Sequence, residues 1–120
     1  MAQKIVTRGS VVLIRYPFSD LTGSKVRPAI ILTPNNLLHK IEDVHCLFIS
    51  SVISSNLLPT DYILEIEHPS FPKTGLKFRS LMRVHKLALL HKSLVLRVLG
   101  KLSDGLMQEV DKRLRIALGI

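Results

Sequence analysis

Four side chains of this sequence have the chemistry to bind or cleave a phosphodiester, namely Arg27, Ser50, Arg83 and His85. Arg27 stands directly before Pro28, where a polar loop enters an apolar strand. A guanidinium there could hold a phosphate through two hydrogen bonds. The alternative is a solvent-facing arginine that anchors the loop. Arg83 and His85 are two residues apart in a predicted strand, so they are expected to share one face.

Each of these residues also has a structural interpretation. A histidine can give or take a proton near neutral pH, and a neighbouring arginine can stabilise the charge of a phosphoryl transition state. Arg83 and His85 could equally form the polar outer face of a half-buried strand. The hydroxyls of Ser50 and Ser51 end a strand. They could bind a phosphate or a 2′-hydroxyl there, or satisfy local backbone groups.

Other kinds of site are not indicated by the sequence. The five histidines lack the spacing of a zinc site, so no metal and no other cofactor is expected. Cys46 is the only cysteine, and its alternation with apolar neighbours predicts a position in the core. Neither a P-loop nor a G-x-G-x-x-G motif is present. Aromatic residues make up only 5% of the chain, which argues against a base-stacking sheet of the RRM type.

The composition points to an anionic partner. The 120 residues include 17 Lys and Arg against 9 Asp and Glu, which gives a formal net charge of +8. A charge of this sign favours nucleic acid as the partner. Apolar residues make up 47%, which excludes disorder and suggests that a second copy covers part of the surface. The length fits a single domain over residues 1–120 and excludes large multidomain enzymes.

No segment indicates a membrane or an export signal. A transmembrane helix needs ~18 consecutive apolar residues, and no run in the sequence approaches that length. The first residues lack the apolar core and cleavage site of a signal peptide. A cytoplasmic location without membrane contact is therefore expected.

Short strands must position the candidate residues. Apolar, β-branched runs between Gly- and Pro-containing breaks predict strands at 11–16, 29–32, 44–50 and 62–66. Segment 80–90 is long enough for one strand or for two with a bend, and 94–99 suits a strand or a short helix. The pattern predicts a mainly β fold with α, a small barrel of about five to seven strands closed by a C-terminal helix. Such an arrangement leaves no exposed strand edge.

The C-terminal helix has the clearest signals. Ser103 is a good N-cap, apolar residues follow at helical spacing, and Gly119 ends the pattern. Two acid–base pairs are predicted along the helix, each four residues apart with the acid first. They join Glu109 to Arg113 and Asp111 to Arg115. The cations Lys112, Arg113 and Arg115 are otherwise expected to form a solvated face.

The order of several short motifs along the chain is more specific than any one of them. The segments are residues 8–14 (RGSVVLI), 16–25 (YPFSDLTGSK), 27–32 (RPAIIL), 49–51 (ISS), 74–76 (TGL) with 80–84 (SLMRV) and 86–87 (KL), and 100–103 (GKLS) before the terminal helix. Together, in this order, they resemble the PemK/MazF toxin family over nearly the whole chain.

This resemblance implies a fold, an activity and partners. The fold is an SH3-like β-barrel with a C-terminal helix, in a homodimer. The activity is that of a type II toxin, a sequence-specific and metal-independent endoribonuclease. The partners are RNA and a cognate antitoxin whose acidic or hydrophobic tail lies across the active groove. By position, Arg27 matches a catalytic arginine, Ser50 a catalytic hydroxyl, and Arg83 an arginine used as catalytic acid or phosphate clamp.

The resemblance also implies a wider binding surface. The loop 18–27 matches one that contacts RNA and antitoxin, and further basic and hydroxyl residues are expected around the same groove. The residues expected to bind RNA or antitoxin are Ser19, Asp20, Thr22, Ser24, Lys25, Ser51, Lys77 and Arg79.

Two positions depart from the family pattern. Ser10 stands where the family usually has an acidic residue, and His85 stands where many members have Asp or Glu. We expect Arg27 and Arg83 to stabilise phosphate charge, Ser50 to position the substrate, and His85 to replace the carboxylate in proton transfer. Ser10 and His85 also favour an alternative, a catalytically weakened module of the same fold that binds RNA or protein. A third possibility is a basic structural protein of a ribonucleoprotein.

Overall fold

Six strands form one antiparallel sheet in the part of the chain that the structure describes. The structure is a computed structural model, and it describes residues 6–17 and 24–120. The elements in chain order are β1 (Ser10–Pro17), β2 (Ser24–Ile31), α1 (Asn35–Leu38), β3 (Asp43–Ser50), β4 (Asp61–Leu64), β5 (Ser80–His91), β6 (Val95–Lys101) and α2 (Asp104–Leu118). Two short 3-10 helices lie at Phe71–Thr74 and Lys92–Leu94.

The ambiguous segments are resolved as strands. Segment 80–90 belongs to the single strand β5. Of segment 94–99, Leu94 ends a 3-10 helix and residues 95–99 belong to β6. The short helix α1 occupies part of what the sequence indicates as a break after Pro34.

β2 is longer than predicted, and its additional residues include Arg27. The strand expected at 29–32 begins earlier, so that Arg27 and Pro28 lie within it, opposite Ile14 and Leu13 of β1. A proline removes one backbone donor but leaves the extended conformation intact. Arg27 is therefore held at a fixed register position and not in a loop.

Across residues 6–17 and 24–120, the sheet is not closed into a barrel. The strand order β4-β5-β3-β2-β1-β6 leaves β4 and β6 as its two edges, which corrects the expectation of a closed barrel without edges. The register shifts between Leu47 and Ile49 where β3 pairs with β5, and shifts again where β1 pairs with β6. Irregularities of this kind bend a strand and increase its local twist. The mainly β class with a C-terminal helix packed on the sheet is confirmed.

Side chains of the sheet enter two apolar clusters. Val11 of β1 belongs to one cluster, which also contains Leu106 and Val110 of α2. Val12 belongs to the other, which contains Cys46. Successive side chains of a strand point to opposite faces. Cys46 is fully buried, as predicted, and burial raises the pKa of its thiol to about 11.

The C-terminal helix α2 begins and ends as the sequence predicts. The Ser103 hydroxyl accepts a hydrogen bond from the backbone N–H of Leu106 at 3.2 Å. Gly119 follows the last turn with a φ of 71°, a left-handed conformation that favours glycine. In the described part of the chain, no helix is both long enough and apolar enough to cross a membrane.

Only one of the two predicted acid–base pairs along α2 is formed. Arg113 Nη2 lies 2.8 Å from Glu109 Oε1, four residues earlier. The Asp111 carboxylate instead accepts a hydrogen bond from Arg8 Nη2 at 2.6 Å. The contact joins the helix to the chain entering β1, and among the described residues no ion pair links Asp111 to Arg115.

Candidate functional site

Two cavities meet at a wall formed by β2, the end of β3 and the turn that follows β3. Their volumes are about 440 and 470 Å³, within the size range of small-ligand sites. We call them the first and second cavity. Four residues line both, and we call them the shared wall: Arg27, Ile49, Ser50 and Val52.

The first cavity combines cations with an exposed aromatic ring. Besides the shared wall, it is lined by Leu13, Pro28, Ser51, Gly75, Leu76, Lys77, Phe78, Ser80, Arg97 and Leu99. Phe78 is 66% exposed, and Lys77 and Arg97 add positive charge beside it. An aromatic face next to cations is a typical arrangement for stacking a base of single-stranded nucleic acid.

Close backbone packing fixes one side of the first cavity. Gly75 follows the 3-10 helix at Phe71–Thr74 with a φ of 74°. A Cβ on Gly75 would overlap the carbonyl oxygen of Leu99, and a Cβ on Gly100 would overlap that of Lys73. Any larger residue at either position would push the 3-10 helix away from β6. The two glycines therefore allow this turn to lie directly against the strand.

The second cavity is lined, beyond the shared wall, by Phe48, Ser54, Leu81, Arg83 and Lys86. Phe48 is half-buried and packs against Tyr16, with ring centroids 4.7 Å apart. The cavity has three cationic side chains, since Arg27 of the shared wall joins Arg83 and Lys86.

The two arginines of the second cavity differ in their partners. Within residues 6–17 and 24–120, no hydrogen bond or ion pair is seen for the Arg27 guanidinium. Arg83 donates two hydrogen bonds to Asp61, from Nε to Oδ1 at 3.0 Å and from Nη2 to Oδ2 at 3.1 Å. The hydrogen bonds from Arg83, and to a smaller extent its positive charge, lower the pKa of the Asp61 carboxyl. The same hydrogen bonding and the negative charge of Asp61 raise the pKa of Arg83.

The Ser50 hydroxyl is engaged in the turn after β3. Ser50 Oγ accepts a hydrogen bond from the backbone N–H of Val52 at 3.0 Å and donates one to the Val52 carbonyl oxygen at 3.3 Å. The backbone-satisfying interpretation of Ser50 therefore describes its contacts. The same turn keeps Ser50 in the shared wall, beside Arg27.

His85 lies near the pair formed by Arg83 and Asp61, since its charge contributes to lowering the pKa of the Asp61 carboxyl, but it lies outside both cavities. Its side chain is exposed and lines neither cavity. Its Nδ1 lies 2.7 Å from the hydroxyl of Thr60, just before β4. The structure thus assembles Arg27, Ser50 and Arg83. In the described ranges, no three His, Cys, Asp or Glu side chains lie close enough to hold a metal ion.

Some of the residues predicted to bind RNA or antitoxin line a cavity, and others do not. Ser51 and Lys77 line the first cavity. Lys25 lines neither cavity and lies in β2 opposite Tyr16. Arg79 lines neither and forms an exposed ion pair with Glu65 at 2.8 Å. Ser19, Asp20 and Thr22 lie outside the described residues, and Ser24 is described as the first residue of β2.

Four further residues at the site were not predicted from the sequence: Phe78, Lys86, Arg97 and Asp61. The Lys77-Phe78-Arg79 run was a usable signal, because an aromatic residue between cations is typical of a nucleic-acid surface. Arg97 enters the site through its pairing with Leu13, which requires segment 94–99 to be a strand. Asp61 reaches Arg83 only through the pairing of β4 with β5.

Ser10, one of the two departures from the family pattern, has a structural role. It is 3% exposed, and its hydroxyl accepts a hydrogen bond from the backbone N–H of Thr7 at 3.0 Å. It lines neither cavity.

Comparison with known proteins gives one family and one fold. The family model described as PemK-like, MazF-like toxin of type II toxin–antitoxin system matches residues 7–118. A MazE–MazF structure from Deinococcus radiodurans superposes with a TM-score of 0.76 at 16% identity, covering 98% of this chain and 99% of that one. An endoribonuclease in complex with its cognate antitoxin, from a mycobacterial species, superposes at 0.72 and 19% identity, covering 97% of both chains. No curated protein matches the sequence significantly.

Proposed function

Because the chain belongs to the family of PemK-like, MazF-like toxins of type II toxin–antitoxin systems, we propose that it is a toxin that cleaves single-stranded RNA. The cleavage is sequence-specific and needs no metal ion. The shared wall between two cationic cavities carries this proposal. A strand laid across that wall would place one phosphate beside Arg27 and one nucleotide on each side.

The proposed reaction uses the substrate's own 2′-hydroxyl. Its oxygen attacks the adjacent phosphorus, so the O2′–P bond forms and the P–O5′ bond breaks. A base accepts the 2′-hydroxyl proton, and an acid delivers a proton to the leaving 5′-oxygen. The products are a 2′,3′-cyclic phosphate and a 5′-hydroxyl. Arg27 and Arg83 stabilise the charge on the non-bridging oxygens, and Ser50 holds the turn that positions the phosphate.

We assign proton transfer to His85 on its chemistry, because it is the histidine closest to Arg83 along β5. Its distance from the cavity walls makes this the first assignment to test. Cleavage by His85→Ala at pH 7 falls at least about tenfold if the ring transfers a proton. An unchanged rate would remove His85 from the reaction.

We also propose that RNA competes with a cognate antitoxin for the same two cavities, in the cytoplasm. An acidic segment of the antitoxin would meet Arg27, Lys77 and Arg97, and an apolar segment would meet the exposed ring of Phe78. A homodimer belongs to the same proposal. Exposed large apolar side chains such as Leu89 and Ile116 leave surface for a second copy to cover.

A second candidate function is a binding module of the same fold without catalysis. The placement of His85 outside both cavities and the buried, turn-closing role of Ser10 favour it. This alternative predicts stoichiometric RNA binding at the shared wall and no cleavage.

The test is incubation of the purified protein with a long RNA in EDTA, with the cut sites mapped. We expect cleavage at a short recurring sequence by the wild type, and a much slower reaction by Arg27→Ala. Induction should arrest growth, and co-expression of an acidic neighbouring gene product should restore it. Tight RNA binding without cleavage would establish the binding module instead.

A further inference from the structure

A buried carboxylate stands behind the arginine of the second cavity. The Asp61 side chain has no exposed surface, and the pairing of β4 with β5 sets it opposite Arg83. A buried charge is tolerated only when it is paired and hydrogen-bonded. Asp61 meets that condition, because it accepts two bonds from Arg83 and one from the backbone N–H of Leu58 at 2.8 Å.

The contacts of Arg83 leave one end of its guanidinium for a ligand. An arginine has five N–H donors in a fixed planar fork. Nε and Nη2 bind Asp61, and Nη2 also donates to the carbonyl oxygen of Asn56 at 3.1 Å. Nη1 has no partner among the described residues, and Arg83 lines the second cavity. Because the guanidinium is planar and rigid, the hydrogen bonds that Asp61 accepts from Nε and Nη2 also fix the direction of Nη1.

The backbone of Asp61 is itself held from the opposite side. Arg113 of α2 donates through Nη1 to the carbonyl oxygens of Pro59 at 2.8 Å and Asp61 at 2.7 Å. Its guanidinium lies 5.2 Å from the ring centroid of Tyr62. Arg113 is thus docked on the start of β4, which corrects its assignment to a solvated helix face. The backbone of Asp61 is therefore held by α2 through Arg113, and its side chain is held by β5 through Arg83.

We propose that Asp61 is a positioning residue for the reaction in the second cavity. It holds the Arg83 guanidinium in one orientation, so that the N–H groups of Nη1 point to the phosphate. This inference rests on the proposed function. The positioning role of Asp61 is separate from the proton transfer assigned to His85.

A double-mutant cycle tests the inference with a short RNA that spans a mapped cut site. Asp61→Asn keeps the shape but loses the second acceptor, so we expect kcat to fall about tenfold or more with KM within twofold. Arg83→Ala lowers kcat, and adding Asp61→Asn to it causes no further loss, because Asp61 acts through Arg83. Asp111→Asn makes the same carboxylate-to-amide change at the ion pair with Arg8, outside both cavities, and is the matched control; its kcat should stay within about twofold of the wild type.

Each other outcome contradicts the inference. A wild-type rate in Asp61→Asn, or the same fold-loss with and without Arg83, would show that Asp61 does not act through the arginine. If Asp61→Asn fails to fold, Asp61→Glu keeps the charge, moves the carboxylate by one methylene, and should fold with the same loss of kcat. A wild type that cuts no RNA overturns the proposed function together with this inference, whereas a cleaving wild type with additive variants overturns this inference alone.

Discussion

The two arginines of the second cavity, Arg27 and Arg83, face the same space with different electrostatics. Arg27 reaches the shared wall from β2 without an acidic partner among the described residues. Arg83 reaches it from β5 with its charge balanced by Asp61. The first therefore offers net positive charge to a phosphate, and the second offers hydrogen-bond donors in a fixed direction.

The difference between Arg27 and Arg83 separates two contributions to RNA binding and cleavage, namely net positive charge and oriented hydrogen-bond donors. Net charge attracts the RNA backbone and is screened by salt. Oriented donors contribute where charge develops in the transition state, and they cost no reorganisation during the reaction. The formal charge of +8 is thus a poor guide to the site, since Arg79 lies outside both cavities in an ion pair with Glu65 and the charge of Arg83 is balanced by Asp61.

Arg27→Ala should have the largest effect on cleavage. It removes the uncompensated cation from the wall that both cavities share, and we expect the rate to fall about 100- to 1000-fold. Single-turnover cleavage of an RNA with one mapped site measures it. Arg115→Ala removes an exposed cation from α2, away from the cavities, and should stay within about twofold of the wild type. Equal losses in the two variants would mean that only total charge matters.

Lysine substitution should distinguish the two arginines by about tenfold. Lysine keeps the charge but not the planar fork. Arg27→Lys should therefore regain about a tenth to a half of the activity that Arg27→Ala loses, whereas Arg83→Lys should cleave no faster than Arg83→Ala. The four cleavage rates, compared on one substrate, give the result. A full rescue by lysine at position 83 would show that Arg83 acts by charge.

The salt dependence of nucleic-acid binding should decrease more when Arg27 is removed than when Arg83 is removed. Each phosphate contact made by an uncompensated cation contributes about 0.7 to the slope of log K against log salt for single strands. Arg27→Ala and Arg97→Ala should each lower the slope by about that amount, and Arg83→Ala should change it less. Titration of an all-deoxy oligonucleotide, which lacks the attacking hydroxyl, measures binding alone. A drop of about 0.7 in Arg83→Ala would mean that Asp61 does not neutralise it.

Ser50→Ala should have the smallest effect. The hydroxyl closes the turn to Val52, and the change loses two local contacts while leaving Arg27 in place. We expect cleavage within about threefold of the wild type, with Ser50→Thr indistinguishable from it, because threonine can close the same turn. A loss comparable to that of Arg27→Ala would make the hydroxyl a direct participant.

Sequence reasoning predicted what local patterns and motif order can carry. The helix after Ser103, the buried Cys46 and the assembly of Arg27 with Ser50 follow from capping, alternation and ordered motifs. Asp61 could not be found in this way. It lies 22 residues before its partner Arg83, and only the pairing of two strands brings the carboxylate to the guanidinium.

The same limit applied to His85. Its spacing from Arg83 predicted a shared face, but the hydrogen bond to Thr60 depends on where the segment before β4 lies. The closed barrel was overpredicted for a related reason. Short strands and a terminal helix indicate a small β fold, whereas closure depends on whether the first and last strands of the order pair.

In the proposed reaction, RNA is cut across the shared wall by its own 2′-hydroxyl, with no metal ion taking part. The most direct measurement uses an RNA with one mapped cut site and a single 2′-deoxy nucleotide on the 5′ side of the scissile phosphate, incubated with the wild type in EDTA. We predict that cleavage at that bond stops, that moving the deoxy nucleotide one position away restores it, and that the restored products carry a new 5′-hydroxyl. Cleavage that persists at the deoxy position, or that leaves a 5′-phosphate, would contradict the account.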